Sequence, residues 1–193
     1  GVVDGVSLFL DGIRDYNSVS DYTGEFLIQQ VETDTYTLTA EKDDGDVNGI
    51  TAFDVTKVLQ SAAGLLNLNT YETIAADVNS DGKVDAMDAS QILEYVAGLR
   101  VLPFEGTSGV WKFNPDTINY SNLSSNQANQ NIVAVLVGDV SGNYESSSTA
   151  SNLYSDGVVQ INNFNVSEGF VSADFEVGYY DFELFSLETT LFY

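Results

Sequence analysis

The twelve residues Asp77 to Asp88, which read DVNSDGKVDAMD, decide how the middle of this chain folds. Oxygen-bearing side chains recur along the stretch, and Gly82 stands at position six, where a sharp turn is needed. Calcium takes about six to eight oxygen ligands, and this spacing supplies them from side chains and from the backbone carbonyl at position seven. The predicted calcium ligands are Asp77, Asn79, Asp81, Lys83, Asp85 and Asp88.

A second interpretation of the same stretch needs no ion. An acidic turn can cap the helix that follows it, with Asp85 or Asp88 accepting hydrogen bonds from the first backbone amides. Because a capping residue can also be a metal ligand, this interpretation is compatible with calcium and does not replace it.

A copy of the unit lies 34 residues upstream, where residues 52–65 align with residues 86–99. Each copy has apolar residues at three- and four-residue spacing and is followed by glycine, which predicts a short helix. The matching pairs are Asp54/Asp88, Val58/Ile92, Leu59/Leu93, Ala63/Ala97, Gly64/Gly98 and Leu65/Leu99.

The loop before the first helix is three residues shorter than Asp77–Asp88. Aligned from its two ends, it has no residue at position five, so we expect weaker calcium binding there. The alternative is a helix capped by Thr51 or Asp54 with no ion. The predicted ligands of this first loop are Asp46, Asn48, Thr51 and Asp54.

Two loop–helix units in tandem over residues 43–102 resemble the duplicated calcium module of type I dockerins, which are EF-hand-like. Aspartate at position twelve, in place of glutamate, is typical of dockerin loops. The resemblance implies calcium and a cohesin partner bound through loop positions ten and eleven. Those positions are apolar here, Ala52-Phe53 and Ala86-Met87, where many dockerins carry Ser-Thr. We therefore expect these residues to be buried against a neighbouring domain of the same chain.

Composition excludes several classes of function. The chain has 29 acidic and 6 basic residues and a net charge of −23, which excludes nucleic acid as a partner because phosphate neutralisation needs Lys and Arg. It contains no cysteine and no histidine, which excludes thiol catalysis, zinc sites with Cys or His ligands, and His-based triads. No apolar run is long enough to predict membrane insertion.

The flanking segments are rich in predicted strands, so the expected fold class is α+β, mostly β, with β-sandwich-like segments around a small helical calcium-binding unit. The order GVSLFL … DYTGEFLIQQVETDTYTLTAEK resembles carboxypeptidase-regulatory-like or Cna-B-like β-sandwich repeats. The predicted organisation is a sandwich-like segment at 1–42, the dockerin-like unit at 43–104, packing strands at 105–145, and a linker with C-terminal strands at 146–193.

Two features of the third segment have alternatives. Residues 138–144, GDVSGNY, echo the start of the first loop and could form half of another calcium loop through Asp139, Ser141 and Asn143. We favour an ordinary hydrogen-bonded turn at that position. Trp111 is expected to be a core residue rather than a platform for sugars.

These patterns predict a non-catalytic, calcium-binding structural or adhesion protein, secreted to the extracellular space or cell surface. The aromatic end Glu183–Tyr193 suggests head-to-tail self-association into a filament by β-strand addition. The alternative is a dockerin module that anchors a secreted enzyme to a cohesin-bearing scaffold. Catalysis is not expected, since no pair among the many carboxylates is distinguished by a second signal.

Overall fold

The computed structural model describes residues 1–43, 45 and 47–146 with their side chains, and the backbone of two further strands. It divides into two compact units, Gly1–Ser147 and Ser148–Tyr193. The α+β class is confirmed. The elements in chain order are β1 (Ser7–Asp11), β2 (Tyr16–Val19), β3 (Tyr36–Glu41), α1 (Ala52–Ala62), α2 (Thr70–Ala76), α3 (Ala86–Val96), β4 (Trp111–Asn114), β5 (Thr117–Tyr120), β6 (Val133–Leu136), β7 (Val158–Ser167) and β8 (Phe170–Gly178).

The first unit begins with a four-stranded antiparallel sheet in the order β2-β1-β3-β5. Period-two alternation in β1 and β3 points Leu8, Leu10 and Leu38 into one core, where Tyr36 is also buried. Strand β5 joins this sheet from beyond the helices, with Leu38 opposite Ile118. The N-terminal strands are thus completed by a distant part of the chain.

Helices α1 and α3 pack on each other and begin and end alike, as the repeat predicts. Each starts with a capping box, Thr51 with Asp54 and Asp85 with Asp88. After each helix a glycine adopts a left-handed conformation, with φ of 71° at both Gly64 and Gly98. The sequence repeat is therefore a structural repeat.

A second core joins the helices to β6, the strand that pairs with β4. Val58 of α1 and Ile92 of α3 are fully buried in it, together with Val137, the residue after β6. Trp111 is buried on β4, opposite Leu136. Its ring packs edge-on against the ring of Tyr144, with the two ring centroids 4.8 Å apart. Its predicted role as a core residue is confirmed.

The second unit contains the antiparallel pair β7–β8, in which Ile161 lies opposite Phe175. Strands were predicted in both places. The segment Glu183–Tyr193, on which the filament prediction depends, lies outside the described residues. Among the helices of the described part, none has the length and apolar character needed to cross a membrane.

Candidate functional site

The stretch Asp77–Asp88 forms the connection between α2 and α3. Asp77 is the C-cap of α2, and Asp85 is the N-cap of α3, so both ends of the loop are fixed by helices. Gly82 adopts a φ of 82°, the left-handed conformation expected at position six. The sharp turn therefore falls where the spacing predicts it.

The side chains at positions one, three and five fold over the same arc of backbone. Asp77 accepts hydrogen bonds from the amides of Asp81 at 3.1 Å and Gly82 at 3.0 Å. Asn79 Oδ1 accepts from the Asp81 amide at 2.9 Å, and Asp81 Oδ1 accepts from the Lys83 amide at 2.9 Å. The structure thus brings together Asp77, Asn79 and Asp81, with Lys83 following at position seven.

Asp88 closes the loop from inside the core. Its side chain is fully buried, and its two oxygens accept from the amides of Val78 at 3.0 Å and Asp85 at 2.9 Å. Burial raises the pKa of Asp88, and the nearby charge of Asp77 raises it further, while the amide hydrogen bonds oppose this. A buried carboxylate beside a second carboxylate is an environment that a cation stabilises.

The capping interpretation also describes what the structure shows. Asp85 Oδ1 accepts from the Met87 amide at 2.7 Å as the N-cap of α3. Across the described residues, no three acidic side chains are arranged to hold an ion by carboxylates alone. A calcium ion in this loop would need amide and backbone oxygens as well, as EF-hand-like loops use them.

Of the predicted ligands of the first loop, the structure describes Asn48, Thr51 and Asp54. Thr51 and Asp54 meet at the start of α1, where Asp54 Oδ2 accepts from the Thr51 amide at 2.7 Å. Asn48 instead pairs with the backbone of Glu145, donating to its carbonyl at 2.8 Å and accepting from its amide at 2.9 Å. Asp46 lies outside the described residues.

The turn at residues 139–144 lies against this first loop. Asp139 accepts from the amides of Gly142, Asn143 and Tyr144, so the hydrogen-bonded turn that we favoured is present. The Ser141 amide donates to Asp54 Oδ1 at 2.7 Å, which attaches the turn to α1. The sequence echo marked residues 139–143, but it did not indicate this contact across 87 residues.

The apolar residues at positions ten and eleven are exposed. Phe53 is 62% and Met87 59% accessible to solvent, and Ala52 and Ala86 are exposed beside them. The expectation that they are buried against a neighbouring domain is wrong. An apolar side chain at a helix start does not itself require burial, because much of any protein surface is apolar.

Residues 34–97 match the family model of the dockerin type I domain. The match identifies a dockerin-type module over about a third of the chain, and the strands that precede it are not matched as a sandwich repeat. Comparisons with curated proteins and with solved structures find no match. Type I dockerin domains bind calcium in EF-hand-like loops, so calcium is the cofactor of this module. They are also non-catalytic modules that bind cohesins.

Proposed function

We propose that the dockerin-type module binds a cohesin-like protein and that calcium held by Asp77–Asp88 keeps its helices in the binding conformation. The ligands that we assign to this loop are those that the spacing predicts, Asp77, Asn79, Asp81, Lys83, Asp85 and Asp88. The alternative of the sequence analysis, a module that anchors a secreted enzyme, is thereby preferred to the adhesion filament. The family match supports the former and gives no support to self-association.

The observation that carries the proposal is a set of exposed apolar side chains repeated between the two helices. We call it the repeat surface. Each member of the first copy has an exposed apolar counterpart 34 residues later. The pairs are Phe53/Met87, Leu59/Leu93 and Leu65/Leu99.

We infer from this pairing that these residues serve a purpose beyond folding. Core residues of the repeat, such as Val58 and Ile92, are buried in both copies, so the fold accounts for them. Leu65 and Leu99 are both 80% exposed. Because hydrophobic stabilisation comes from apolar area that is removed from water, these two side chains add little to the stability of the fold. A partner that covers the repeat surface would explain why exposed apolar residues occur at the same places in both copies.

We also place the protein outside the cell, in the secreted setting of dockerin modules. Calcium reaches millimolar concentrations there, which suits modules of modest affinity. The net charge of −23 further favours calcium-rich surroundings, since bound cations reduce the repulsion between carboxylates. We assign no catalytic role to the module.

A direct test measures binding of the full chain to a panel of immobilised type I cohesin domains by biolayer interferometry, in calcium and in chelator. We expect calcium-dependent binding to at least one cohesin, weakened at least tenfold in the double variant Phe53→Ser, Met87→Ser. Ile13→Ser is the matched control, because Ile13 is 77% exposed but lies in the N-terminal sheet region. No binding across the panel in calcium, or equal loss with the control, would overturn the proposal.

A further inference from the structure

The geometry points to a second calcium site that is discontinuous in sequence, in which residues 139–143 supply the first half and residues 49–54 the second. The inference rests on the proposed calcium binding of the module and extends it to a segment outside the matched residues 34–97. The assigned ligand groups are the side chains of Asp139, Ser141, Asn143 and Asp54 and the carbonyl of Gly49.

The turn at residue 139 reproduces the start of the loop at residue 77. Asp139 accepts from the amides four and five residues further on, at 3.2 and 2.9 Å. Asp77 does the same, at 3.1 and 3.0 Å. The residue after each aspartate, Val140 or Val78, is buried in the same core. Residues 139, 141 and 143 therefore correspond to positions one, three and five.

The closing carboxylates correspond as well. Asp54 and Asp88 are each fully buried, and each accepts from the amide of its own N-cap residue. The other carboxylate oxygen of each aspartate accepts a hydrogen bond from a backbone amide near the start of its loop. For Asp88 that donor is Val78, at 3.0 Å, and for Asp54 it is Ser141, at 2.7 Å. The distant segment thus takes the opening positions of the loop in place of Asp46 and Asn48, and it supplies the position five that the first loop lacks.

The two segments meet where a contiguous loop would continue through position six to position seven. Asn48 joins them by its two hydrogen bonds to the backbone of Glu145. Gly49 follows, with a φ of 93°, and a Cβ atom there would lie 2.9 Å from Asn143 Oδ1. Only glycine allows this approach, which directs the position-seven carbonyl toward residue 143.

Two features of this place, independent of the loop alignment, fit a bound cation. First, the side-chain amide of Asn143 faces three oxygens, with one of its polar atoms 2.8 Å from the Gly49 carbonyl oxygen and 3.0 Å from both Asp139 Oδ1 and Ser141 Oγ. A cation bound among these oxygens would take the amide oxygen of Asn143 as a further ligand. The competing arrangement turns the amide so that its nitrogen donates hydrogen bonds to the other three atoms.

Second, two buried carboxylates have no counter-charge. Asp54 is fully buried and Asp139 is 6% exposed, yet neither forms an ion pair in the part of the chain that the structure describes. Buried charges are normally paired or coordinate a metal. The set contains two carboxylates and lacks the position-five aspartate of the other loop, so it should bind calcium more weakly.

The test is calcium titration of the full chain by isothermal calorimetry, after removal of metal by chelator. The wild-type chain should show two classes of site of unequal affinity. Asn143→Asp places at position five the residue that the other loop has there, Asp81, and should tighten the weaker site about tenfold by adding a ligand charge. If the amide of Asn143 only donates hydrogen bonds, the same change sets a carboxylate against three oxygens and gives no gain in affinity.

Two further variants complete the design. Asp139→Ala should abolish the weaker site and leave the stronger one, whereas Asp116→Ala, which removes an exposed carboxylate in the turn after β4, should change neither. If Asp139→Ala fails to fold, Asn143→Asp alone decides the matter. One class of site, unchanged by Asn143→Asp, would overturn the inference even if the chain binds a cohesin.

Discussion

The two loops that precede α1 and α3 reach a similar arrangement by different routes. The loop before α3 is contiguous, and the hydrogen bonds of its Asp77 and Asp88 carboxylates join residues no more than ten positions apart, although Lys112 also reaches Ser80 from 32 residues away. The region before α1 is assembled from two segments, joined by a contact between Ser141 and Asp54 across 87 residues. The contiguous loop can form locally, whereas the discontinuous one requires the tertiary fold first, because distant segments must be brought together.

The largest effect should come from the closing carboxylates. Asp54→Ala and Asp88→Ala each remove a capping box and leave buried amides without acceptors, so we expect each to lower the free energy of unfolding by about 2–4 kcal/mol. Chemical denaturation in calcium measures this.

The two variants should differ in where they loosen the chain. Hydrogen exchange should increase at residues 139–145 in Asp54→Ala and at residues 77–81 in Asp88→Ala. The comparison fails if both variants affect the same segment.

Calcium removal should have the next largest effect. An ion that binds only the folded chain stabilises it by about 2.7 kcal/mol at a hundred times its dissociation constant, so chelation should lower the melting temperature. The double variant Asp77→Ala, Asp81→Ala should abolish most of this difference. Equal melting curves with and without chelator would contradict the calcium assignment.

The two loops differ in backbone conformation at position seven, where Gly49 has a positive φ and Lys83 does not. Gly49→Ala places a Cβ atom at a φ of 93° and against Asn143, so we expect a loss of about 1–3 kcal/mol. Lys83→Ala is the matched control at the same position of the contiguous loop, where the side chain is exposed, and should cost less than about 0.5 kcal/mol. Thermal melts of the pair in calcium test the difference, and equal losses would contradict a close junction at Gly49.

The smallest effect concerns Lys57, which the second copy replaces by Gln91. Lys57 Nζ lies 2.6 Å from Glu72 Oε1 and donates to the Val140 carbonyl, so it links α1 to α2 and to the distant segment. The hydrogen bond that Lys57 donates to the Glu72 carboxylate lowers the pKa of Glu72, and the hydrogen bond from the Asn69 amide lowers it further. Because the folded pKa is lowered, the stabilisation is present above the unfolded pKa and is lost as pH falls through the folded value.

Glu72→Gln should therefore cost less than about 1 kcal/mol at pH 7, since the pair is only partly buried and is screened by solvent. The difference from the wild-type chain should shrink at pH values well below 4.5, the ordinary value for glutamate. Chemical denaturation of both proteins at pH 7 and at a pH well below 4.5 measures the difference in their free energies of unfolding. A difference that does not depend on pH would show that the charge of Glu72 is unimportant.

Local features of the fold could be predicted from the sequence, and features that depend on distant contacts could not. The turn at Gly82 and the helices with their terminal glycines follow from spacing within a dozen residues. The pairing of β5 with β3 does not, because alternation specifies a strand but not its neighbour.

The same limit applies to the candidate site. Asp77–Asp88 was recognised because all its positions are consecutive. Counting along the first loop predicts Asn48 as a ligand, but it could not indicate that the side-chain amide of Asn48 pairs with the backbone of Glu145, 97 residues away. The exposure of Phe53 and Met87 was also missed, because residue type alone does not determine burial.

The most direct test of the central claim is hydrogen exchange of the full chain with calcium and with chelator, followed by mass spectrometry of peptides that cover both loops. We predict that calcium slows exchange at residues 77–88 and, at higher concentration, at residues 139–145 together with 48–54. Slower exchange at 77–88 alone would leave a single contiguous site. Unchanged exchange in all three segments would contradict a calcium-stabilised module.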